Sequence, residues 1–159
     1  MTAAQRRFLI VDDDPQNNIL SKMALRKSLG EVQVTDFIIP ERGLEYIQSE
    51  FSLATGEKTI LLLDLNMPTM SGWEFLEKFE TLEDQIKNQF DIYILSSSID
   101  PRDIEKAKEN PLIINFIEKP LGKKMLLEMF GWNTLQVLLS SYQKPFHFDW
   151  TAGYADSRN

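Results

Sequence analysis

The sequence has no cysteine and a single histidine, His147. Neither a disulfide framework nor a thiolate metal site can therefore form, and one imidazole cannot build a zinc site. Basic residues are also outnumbered, because 17 lysines and arginines stand against 24 aspartates and glutamates and leave a net charge of −7. This charge argues against binding to the phosphate backbone of nucleic acid, and we expect no direct nucleic-acid contact.

Long apolar stretches are missing as well. The longest runs, such as Ile60 to Leu63, fall far below the roughly 20 residues that cross a bilayer, so we expect no membrane insertion. Residues Met1 to Arg7 contain no apolar signal region, which indicates a cytoplasmic protein. The chain also has no Gly-rich phosphate loop, no G-x-S-x-G and no H-E-x-x-H, so nucleotide hydrolysis, acyl transfer and zinc proteolysis lack support.

What is present is the composition and pattern of one α/β domain. The 159 residues are 43% hydrophobic and 26% charged, a balance typical of a globular unit with its own core. Short apolar runs alternate with segments of helical period, which predicts a doubly wound parallel sheet with helices on both faces. The predicted strands are Phe8 to Val11, Val32 to Phe37, Ile60 to Leu63, Ile92 to Leu95 and Leu112 to Ile117.

Helices are predicted after these strands, where apolar residues recur at intervals of three and four. Asp14 followed by Pro15 is a helix-start signature, and Gly30 closes the same helix. A second helix begins near Glu41, and a fourth spans Pro101 to Glu109. The other helices are recognised by Ile19, Leu20, Met23 and Ala24 in the first, by Phe75, Leu76, Phe79 and Leu82 in the third, and by Leu126, Met129 and Phe130 in the fifth.

Polar side chains follow most of the predicted strands. Asp12 and Asp13 come after the first strand, Asp64 after the third, Ser96 after the fourth and Lys119 after the fifth. The carboxyl ends of parallel strands lie along one edge of a sheet, and ligand sites form there beside the reversal in strand order. We therefore expect three carboxylates, a hydroxyl and a lysine to converge at this edge.

Carboxylates gathered this closely repel one another unless a positive charge compensates. Mg²⁺ is the predicted cofactor, because it prefers oxygen ligands and is usually held by one or two carboxylates and a phosphate. Asp13 and Asp64 would bind it directly, and Asp12 through water. Asp64 is the predicted nucleophile that forms an acyl phosphate, while Lys119 and the Ser96 hydroxyl contact the other phosphoryl oxygens.

The motifs FLIVDDDP, LLLDLNMPTMSG, ILSSS and FIEKP together resemble the CheY-like receiver domain of two-component response regulators. The resemblance covers about residues 7–130 and implies a flavodoxin-like (βα)5 fold with strand order 2-1-3-4-5. It also implies that a histidine kinase or a histidine phosphotransfer protein in a phosphorelay phosphorylates the aspartate of D-x-x-M-P-x-M-x-G, here Asp64. Asp12 and Asp13 are metal ligands by the same resemblance.

Further roles are implied by the resemblance alone. Asn66 supplies a main-chain carbonyl to the metal, and Asn66 and Ser98 tune how fast water removes the phosphoryl group. Ser96 is the switch hydroxyl and Phe116 the switch aromatic, although the family more often has threonine and tyrosine at these positions. The peptide bond that follows Lys119 resembles the family's cis bond.

The resemblance predicts a signalling switch rather than an enzyme, with self-phosphorylation from phosphodonors and autodephosphorylation as its only reactions. Phosphorylation would draw Ser96 inward and let Phe116 rotate toward the interior. The surface formed by the fourth helix, the fifth strand and the fifth helix would then change and bind an effector protein. Such a switch requires the phosphate to interact differently with two states of the domain.

Residues 131–159 are predicted to be an extension rather than a domain. Leu135, Leu138, Leu139 and Tyr142 recur at a helical period, and four aromatic residues follow, namely Phe146, Phe148, Trp150 and Tyr154. These aromatics either pack back on the domain or bind a partner or a second copy. The segment is too short for a DNA-binding output domain, so we expect output by protein contact and a monomer or weak dimer.

Two other functions stay open from the residues alone. A degenerate receiver would dock partners without accepting phosphate. A phosphohydrolase would use a D-x-D pair, which Asp64-Leu65-Asn66 resembles superficially. Asparagine cannot act as a general acid, however, and that family places its aspartate after the first strand. A strand-end serine such as Ser96 can also simply bond its own backbone.

Overall fold

The computed structural model describes residues 6–53 and 58–131. Its strands are β1 Arg6–Val11, β2 Val32–Phe37, β3 Thr59–Asp64, β4 Phe90–Ser96 and β5 Ile113–Glu118. They form one parallel sheet in the order β2-β1-β3-β4-β5, which confirms the predicted doubly wound topology. Strands β1, β3 and β4 extend beyond their apolar runs, because main-chain pairing continues where the side chains become polar.

The helices of the described residues are α1 Pro15–Leu29, α2 Pro40–Glu50, α3 Gly72–Glu80, α4 Asp84–Lys87, α5 Pro101–Glu109 and α6 Lys123–Phe130. The predicted ends of α1 are confirmed. The Asp14 carboxylate accepts from the Gln16 N–H at 2.8 Å, and Gly30 closes the helix with φ of 80°. This φ lies in the region that glycine adopts without a steric cost.

The sequence did not predict α4. It is a single turn in which only Ile86 is buried, and four residues are too few for a period to be recognised. Leu82, which was predicted within the third helix, lies beyond the end of α3 at Glu80 but is buried. The predicted fourth and fifth helices are therefore α5 and α6.

The core has two layers, one on each face of the sheet. Successive side chains of a strand point to opposite faces, so Leu61 and Leu63 join one cluster and Leu62 joins the other. The first cluster contains the large buried side chains of α2 and α3, such as Ile47 and Phe75, and the second contains Leu25 of α1 and Leu126 of α6. Strand β3 is apolar at successive positions because helices cover both of its faces.

Of the four apolar residues that indicated α1, only Ala24 packs against the core. The side chains of Ile19, Leu20 and Met23 are 54%, 58% and 63% exposed. The buried residues of this helix are Asn18, Ser21 and Leu25. The apolar spacing predicted the helix correctly, but it does not indicate the packed face, because polar residues occupy part of that face.

Helix α5 has little apolar attachment to the sheet, since Ala107 is its one buried residue. A second attachment comes from α3, where the indole N–H of Trp73 donates to Asp103 Oδ1 at 3.0 Å. The Lys106 ammonium lies 4.4 Å from the centre of the Trp73 ring, within the range of a cation–π contact. The half-buried Trp73 packs against the same core cluster as Phe116 of β5. The position of α5 therefore depends strongly on Trp73.

Asp103→Ala is expected to lower the free energy of unfolding by about 1–2 kcal/mol. The half-buried indole N–H loses its acceptor, and the first turn of α5 loses a negative charge that favours the helix dipole. Urea unfolding would measure the change. Glu105→Ala is the matched control on the same helix, because Glu105 pairs only at the surface with Lys108 at 3.0 Å. It should cost less than about 0.5 kcal/mol, and equal losses in both variants would contradict the attachment.

Within the described part of the chain, no helix has the length and apolar character needed to cross a membrane. Apart from Gly131, the predicted extension at residues 131–159 lies outside the described residues. Its helix, the packing of its aromatic residues and its division from residues 7–130 therefore stay predictions.

Candidate functional site

Side chains from the ends of two neighbouring strands meet at the carboxyl edge of the sheet. Carboxylate oxygens of Asp12, Asp13 and Asp64 lie within 4.8 Å of one another. Asp12 and Asp64 are buried, and Asp13 is half-buried. The structure thus brings together the three carboxylates that the strand ends predicted. Three oxygen ligands at this spacing fit a cation that prefers oxygen.

Lys119, which follows β5, reaches into this cluster. Its ammonium nitrogen lies 2.5 Å from Asp12 Oδ2 and 3.3 Å from Asp64 Oδ1. The side chain is only 11% exposed, so water screens these ion pairs weakly. One ammonium cannot balance three carboxylates, and the site keeps an excess of negative charge. A divalent cation would neutralise that excess.

Burial raises the pKa of the Asp64 carboxyl above its usual value. The Lys119 ammonium lowers this pKa, the neighbouring Asp12 raises it, and a hydrogen bond from the Asn66 main chain lowers it, but the net effect remains upward. In the protein without a cation, Asp64 therefore resists ionisation. Positive charge bound at the site would favour the carboxylate, which is the form that acts as a nucleophile.

The turn between β1 and α1 holds Asp12 through each of its polar groups. The Asp12 N–H donates to the Phe37 carbonyl at 3.1 Å. Its Oδ1 accepts from the Asp14 N–H at 3.0 Å, and its Oδ2 bonds Lys119. Its carbonyl accepts from Asn18 Nδ2 at 2.9 Å. Asp12 is therefore fixed by the neighbouring strand, by its own turn, by Lys119 and by α1.

Sequence motifs did not identify Asn18. It is 1% exposed and lies on the packed face of α1 with Ser21 and Leu25. The sequence signal is its spacing, because Asn18 lies three residues before Ser21 and seven before Leu25. This helical spacing is informative only once the packed face of α1 is known. The contact between Asn18 and Asp12 therefore emerges from the structure alone.

The loop between β3 and α3 places the main chain of Asp64 against a helix N-terminus. The Gly72 N–H donates to the Leu65 carbonyl at 2.9 Å, and Ser71 and Glu74 form a capping box. A Cβ atom on Gly72 would clash with the Asp64 carbonyl oxygen and would lie 2.9 Å from Leu65 Cα. Only glycine allows this approach, which explains the glycine of the D-x-x-M-P-x-M-x-G motif.

Ser96 ends β4 and is buried. Its hydroxyl donates to the Ser98 carbonyl at 2.8 Å, and the Ser98 N–H donates to the hydroxyl at 3.3 Å. The Ser96 carbonyl accepts from the Lys119 N–H at 2.9 Å, which ties the end of β4 to the lysine. The hydroxyl thus bonds its own loop here. Its predicted contact with a phosphoryl oxygen requires an exchange of partners and stays a prediction.

The remaining predicted residues lie on the elements that border the acidic cluster. Phe116 of β5 is half-buried against the core, and the side chains of Asn66 and Ser98 are exposed. Their roles as switch aromatic, metal ligand and tuning residues stay predictions. The peptide bond between Lys119 and Pro120 is cis, as the resemblance predicted.

A family model described as the response regulator receiver domain matches residues 8–130. The chain belongs to the response regulator receiver family. The matched range contains β1 from Phe8 onward, the other four strands in full and the three acids of the cluster. The fold described above is therefore that of a receiver domain, and the acidic cluster lies within the matched range.

Solved structures of receiver proteins share the fold. The response regulator receiver protein from Dyadobacter fermentans is 30% identical, with a TM-score of 0.69 over 80% of this chain and 99% of that one. A two-component response regulator from Cytophaga hutchinsonii is 27% identical, with a TM-score of 0.71 over 86% and 98%. The chemotaxis protein CheY4 from Vibrio cholerae is 23% identical, with a TM-score of 0.62 over 86% and 100%, and shows the fold alone. None of the curated proteins compared matches the chain.

Gly72→Ala is expected to lower the free energy of unfolding of the receiver domain by about 2 kcal/mol, because its new methyl group meets main-chain atoms that cannot move without moving Asp64. Gly122→Ala is the control, since nothing lies within 4 Å of a Cβ atom at that position. Gly122 is the N-cap of α6, and its replacement should cost about 0.5 kcal/mol. Urea unfolding would measure both, and losses of the same size would show that Gly72 is not crowded.

Asp64→Asn is expected to raise the melting temperature of the metal-free protein at pH 7, because asparagine buries no charge. Because the pKa of Asp64 is raised in the folded protein, the wild type loses stability relative to this variant as the pH rises. The loss begins near pH 4, the ordinary carboxyl pKa, and is complete above the folded pKa. The difference should be absent below that interval. Thermal unfolding in EDTA across a pH series measures it. Asp91→Asn, at the ion pair with Lys58, is the control. A lower melting temperature for Asp64→Asn at pH 7 would refute the argument.

Proposed function

We propose that this receiver domain is a phospho-acceptor switch in which Asp64 takes a phosphoryl group from a histidine kinase or a histidine phosphotransfer protein. The observation that carries the proposal is the cluster of three carboxylates whose oxygens lie within 4.8 Å, with Lys119 bonded to two of them. A buried carboxylate beside an ammonium and two further acids suits phosphoryl transfer, which is catalysed mainly by positioning and charge neutralisation.

The cofactor we propose is Mg²⁺. Asp12, Asp13, Asp64 and the main-chain carbonyl of Asn66 are the residues that would hold it, Asp12 through water. When bound, Mg²⁺ supplies positive charge to a phosphoryl oxygen and favours the ionised form of the acceptor. The oxygen-only donor set and the excess negative charge of the site support this choice over a softer metal.

The reaction itself uses groups of this chain. A carboxylate oxygen of Asp64 attacks phosphorus, so a new P–O bond forms as the P–N bond of the phosphohistidine breaks, and the freed imidazole of the donor takes up a proton. Lys119 is already 3.3 Å from Asp64 and would neutralise charge on one phosphoryl oxygen. The Ser96 hydroxyl would bond another after it leaves the Ser98 carbonyl.

The response is a change of the α5–β5–α6 surface, which we propose as the contact for a downstream effector. When Ser96 moves toward the phosphoryl group, Phe116 can turn inward and β5 and α5 can adjust. The weak attachment of α5, with one buried residue and one tryptophan contact, supports this region as the part that moves. An element with few buried contacts is the kind that rearranges at low cost.

The finer properties of the switch are proposals of the same kind. Asn66 and Ser98 would tune the lifetime of the phosphoryl group, because each is exposed and lies two residues after a group of the site, Asp64 and Ser96. Self-phosphorylation and autodephosphorylation would be its only reactions. A cytoplasmic location, output by protein contact without nucleic acid, and a monomer or weak dimer stay predictions from the sequence.

The two rival functions are less well supported. A docking module that never takes phosphate has no need for the buried pairs between Lys119, Asp12 and Asp64, which are costly to desolvate. The phosphohydrolase reading requires a nucleophilic aspartate after the first strand of its fold, whereas Asp64 ends β3 of the sheet.

Incubation with acetyl phosphate and MgCl₂ is expected to add one phosphoryl group to the wild type, measured by intact-mass spectrometry. EDTA and Asp64→Asn should each abolish the addition, because they remove the cation and the nucleophile. Lys119→Met should slow it about 100-fold, as loss of one charge-stabilising group does in other active sites.

Asp91→Asn is the control for this experiment, since it changes an aspartate of β4 that pairs with Lys58 outside the site. It should be labelled at the wild-type rate. Labelling of Asp64→Asn equal to that of the wild type would refute the assignment of the acceptor. A wild type that binds no Mg²⁺ at millimolar concentration would favour the docking module instead.

A further inference from the structure

Asn18 is the residue of the site that no motif identified and that the proposed reaction does not use. It lies on the packed face of α1 and is 1% exposed. Its Nδ2 donates to the Asp12 carbonyl at 2.9 Å. A carbonyl can only accept a hydrogen bond, so the amide nitrogen and not the amide oxygen faces Asp12.

The packing of α1 alone does not explain an asparagine at this position. Its Oδ1 is buried and has no hydrogen-bond partner among the described residues. A buried amide with an unpartnered end is less favourable than an apolar side chain of similar size. Leu25, two turns further along the same face, shows that this layer accepts an apolar side chain.

Asn18 connects α1 to both ends of the acidic turn, Asp12 and Asp14. Its main-chain N–H donates to the Asp14 carbonyl at 3.1 Å, while its side chain bonds Asp12. The carboxylates of Asp12 and Asp13 repel each other and that of Asp64, so electrostatic repulsion pushes this turn away from β3. The bonds from Asn18 oppose such a displacement.

We propose that Asn18 is a positioning residue of the acidic site, which holds the main chain of Asp12 so that the carboxylates of Asp12 and Asp13 stay within reach of Asp64. The inference rests on the proposed function, because the cation whose binding it assists is that of the phospho-acceptor site. Asn18 acts through Asp12 and contacts neither the cation nor the phosphoryl group. Mutation of a residue that orients a metal-ligating group in this way typically lowers the metal affinity 10- to 100-fold.

The test uses the full chain and the variant Asn18→Leu. A titration with MgCl₂, followed by amide chemical shifts, gives the dissociation constant. We expect it to rise about tenfold or more in the variant. Amide hydrogen exchange in EDTA gives a second readout without the cation, and the Asp14 N–H, which donates to Asp12 Oδ1 at 3.0 Å, should exchange faster. Asn18→Ala would replace the leucine variant if that variant did not fold.

Gln89→Leu is the matched control. Gln89 is another buried amide, 4% exposed, whose Nε2 donates to the carbonyls of Phe51 and Gln85 at 2.9 Å each. It precedes β4 and therefore lies at the opposite edge of the sheet from the acidic cluster. This variant should lose at least as much thermal stability as Asn18→Leu but keep the wild-type Mg²⁺ affinity and the wild-type exchange of the Asp14 N–H.

An unchanged Mg²⁺ dissociation constant in Asn18→Leu would overturn the proposal, and so would an equal rise in Gln89→Leu, which would indicate a general loss of stability. A wild type that binds no Mg²⁺ would refute the proposed function instead. In that case the exchange measurement decides the role of Asn18 separately. Faster exchange of the Asp14 N–H in Asn18→Leu than in Gln89→Leu supports positioning, and equal exchange overturns it.

Discussion

The structure depends on one electrostatic constraint, which is the confinement of three carboxylates and one ammonium at the carboxyl edge of a buried sheet. Ionised acids at this spacing repel each other, and burial raises the cost of each charge. The protein offsets part of that cost through Lys119, whose nitrogen lies within 3.3 Å of both Asp12 and Asp64. Under the proposed function, a bound cation would offset the part that is left.

The neighbouring elements keep these charges in place. Helix α1 bonds the main chain of Asp12 through Asn18, and α3 begins against the main chain of Asp64 because Gly72 has no side chain. Strand β4 bonds the backbone of Lys119 through the Ser96 carbonyl. By contrast, the hydroxyl of Ser96 bonds only its own loop, and α5 has one buried residue. The fixed parts of the site thus hold the reacting groups, whereas the loosely held parts lie on the side proposed to respond.

Sequence patterns were sufficient for the sheet and for the acidic cluster, because apolar runs mark buried parallel strands and the topology then places their ends together. They were insufficient where the outcome depended on which face of an element packs. The inner face of α1 carries Asn18 and Ser21, so the spacing of the apolar residues predicts the helix but not the face that packs. The single turn α4 was too short to show a period. The bonds of the Ser96 hydroxyl to Ser98, by contrast, match the alternative that a strand-end serine bonds its own backbone.

The contact between Asp12 and Lys119 joins residues that are 107 positions apart. During synthesis, all three acids leave the ribosome long before the lysine that offsets their charge. A nascent chain that ends before β5 therefore carries the three acids without their internal counter-ion, and the repulsion between their carboxylates is not offset by Lys119. Completion of the fifth strand adds the last edge strand of the sheet and brings Lys119 to the acids, which offsets part of this repulsion.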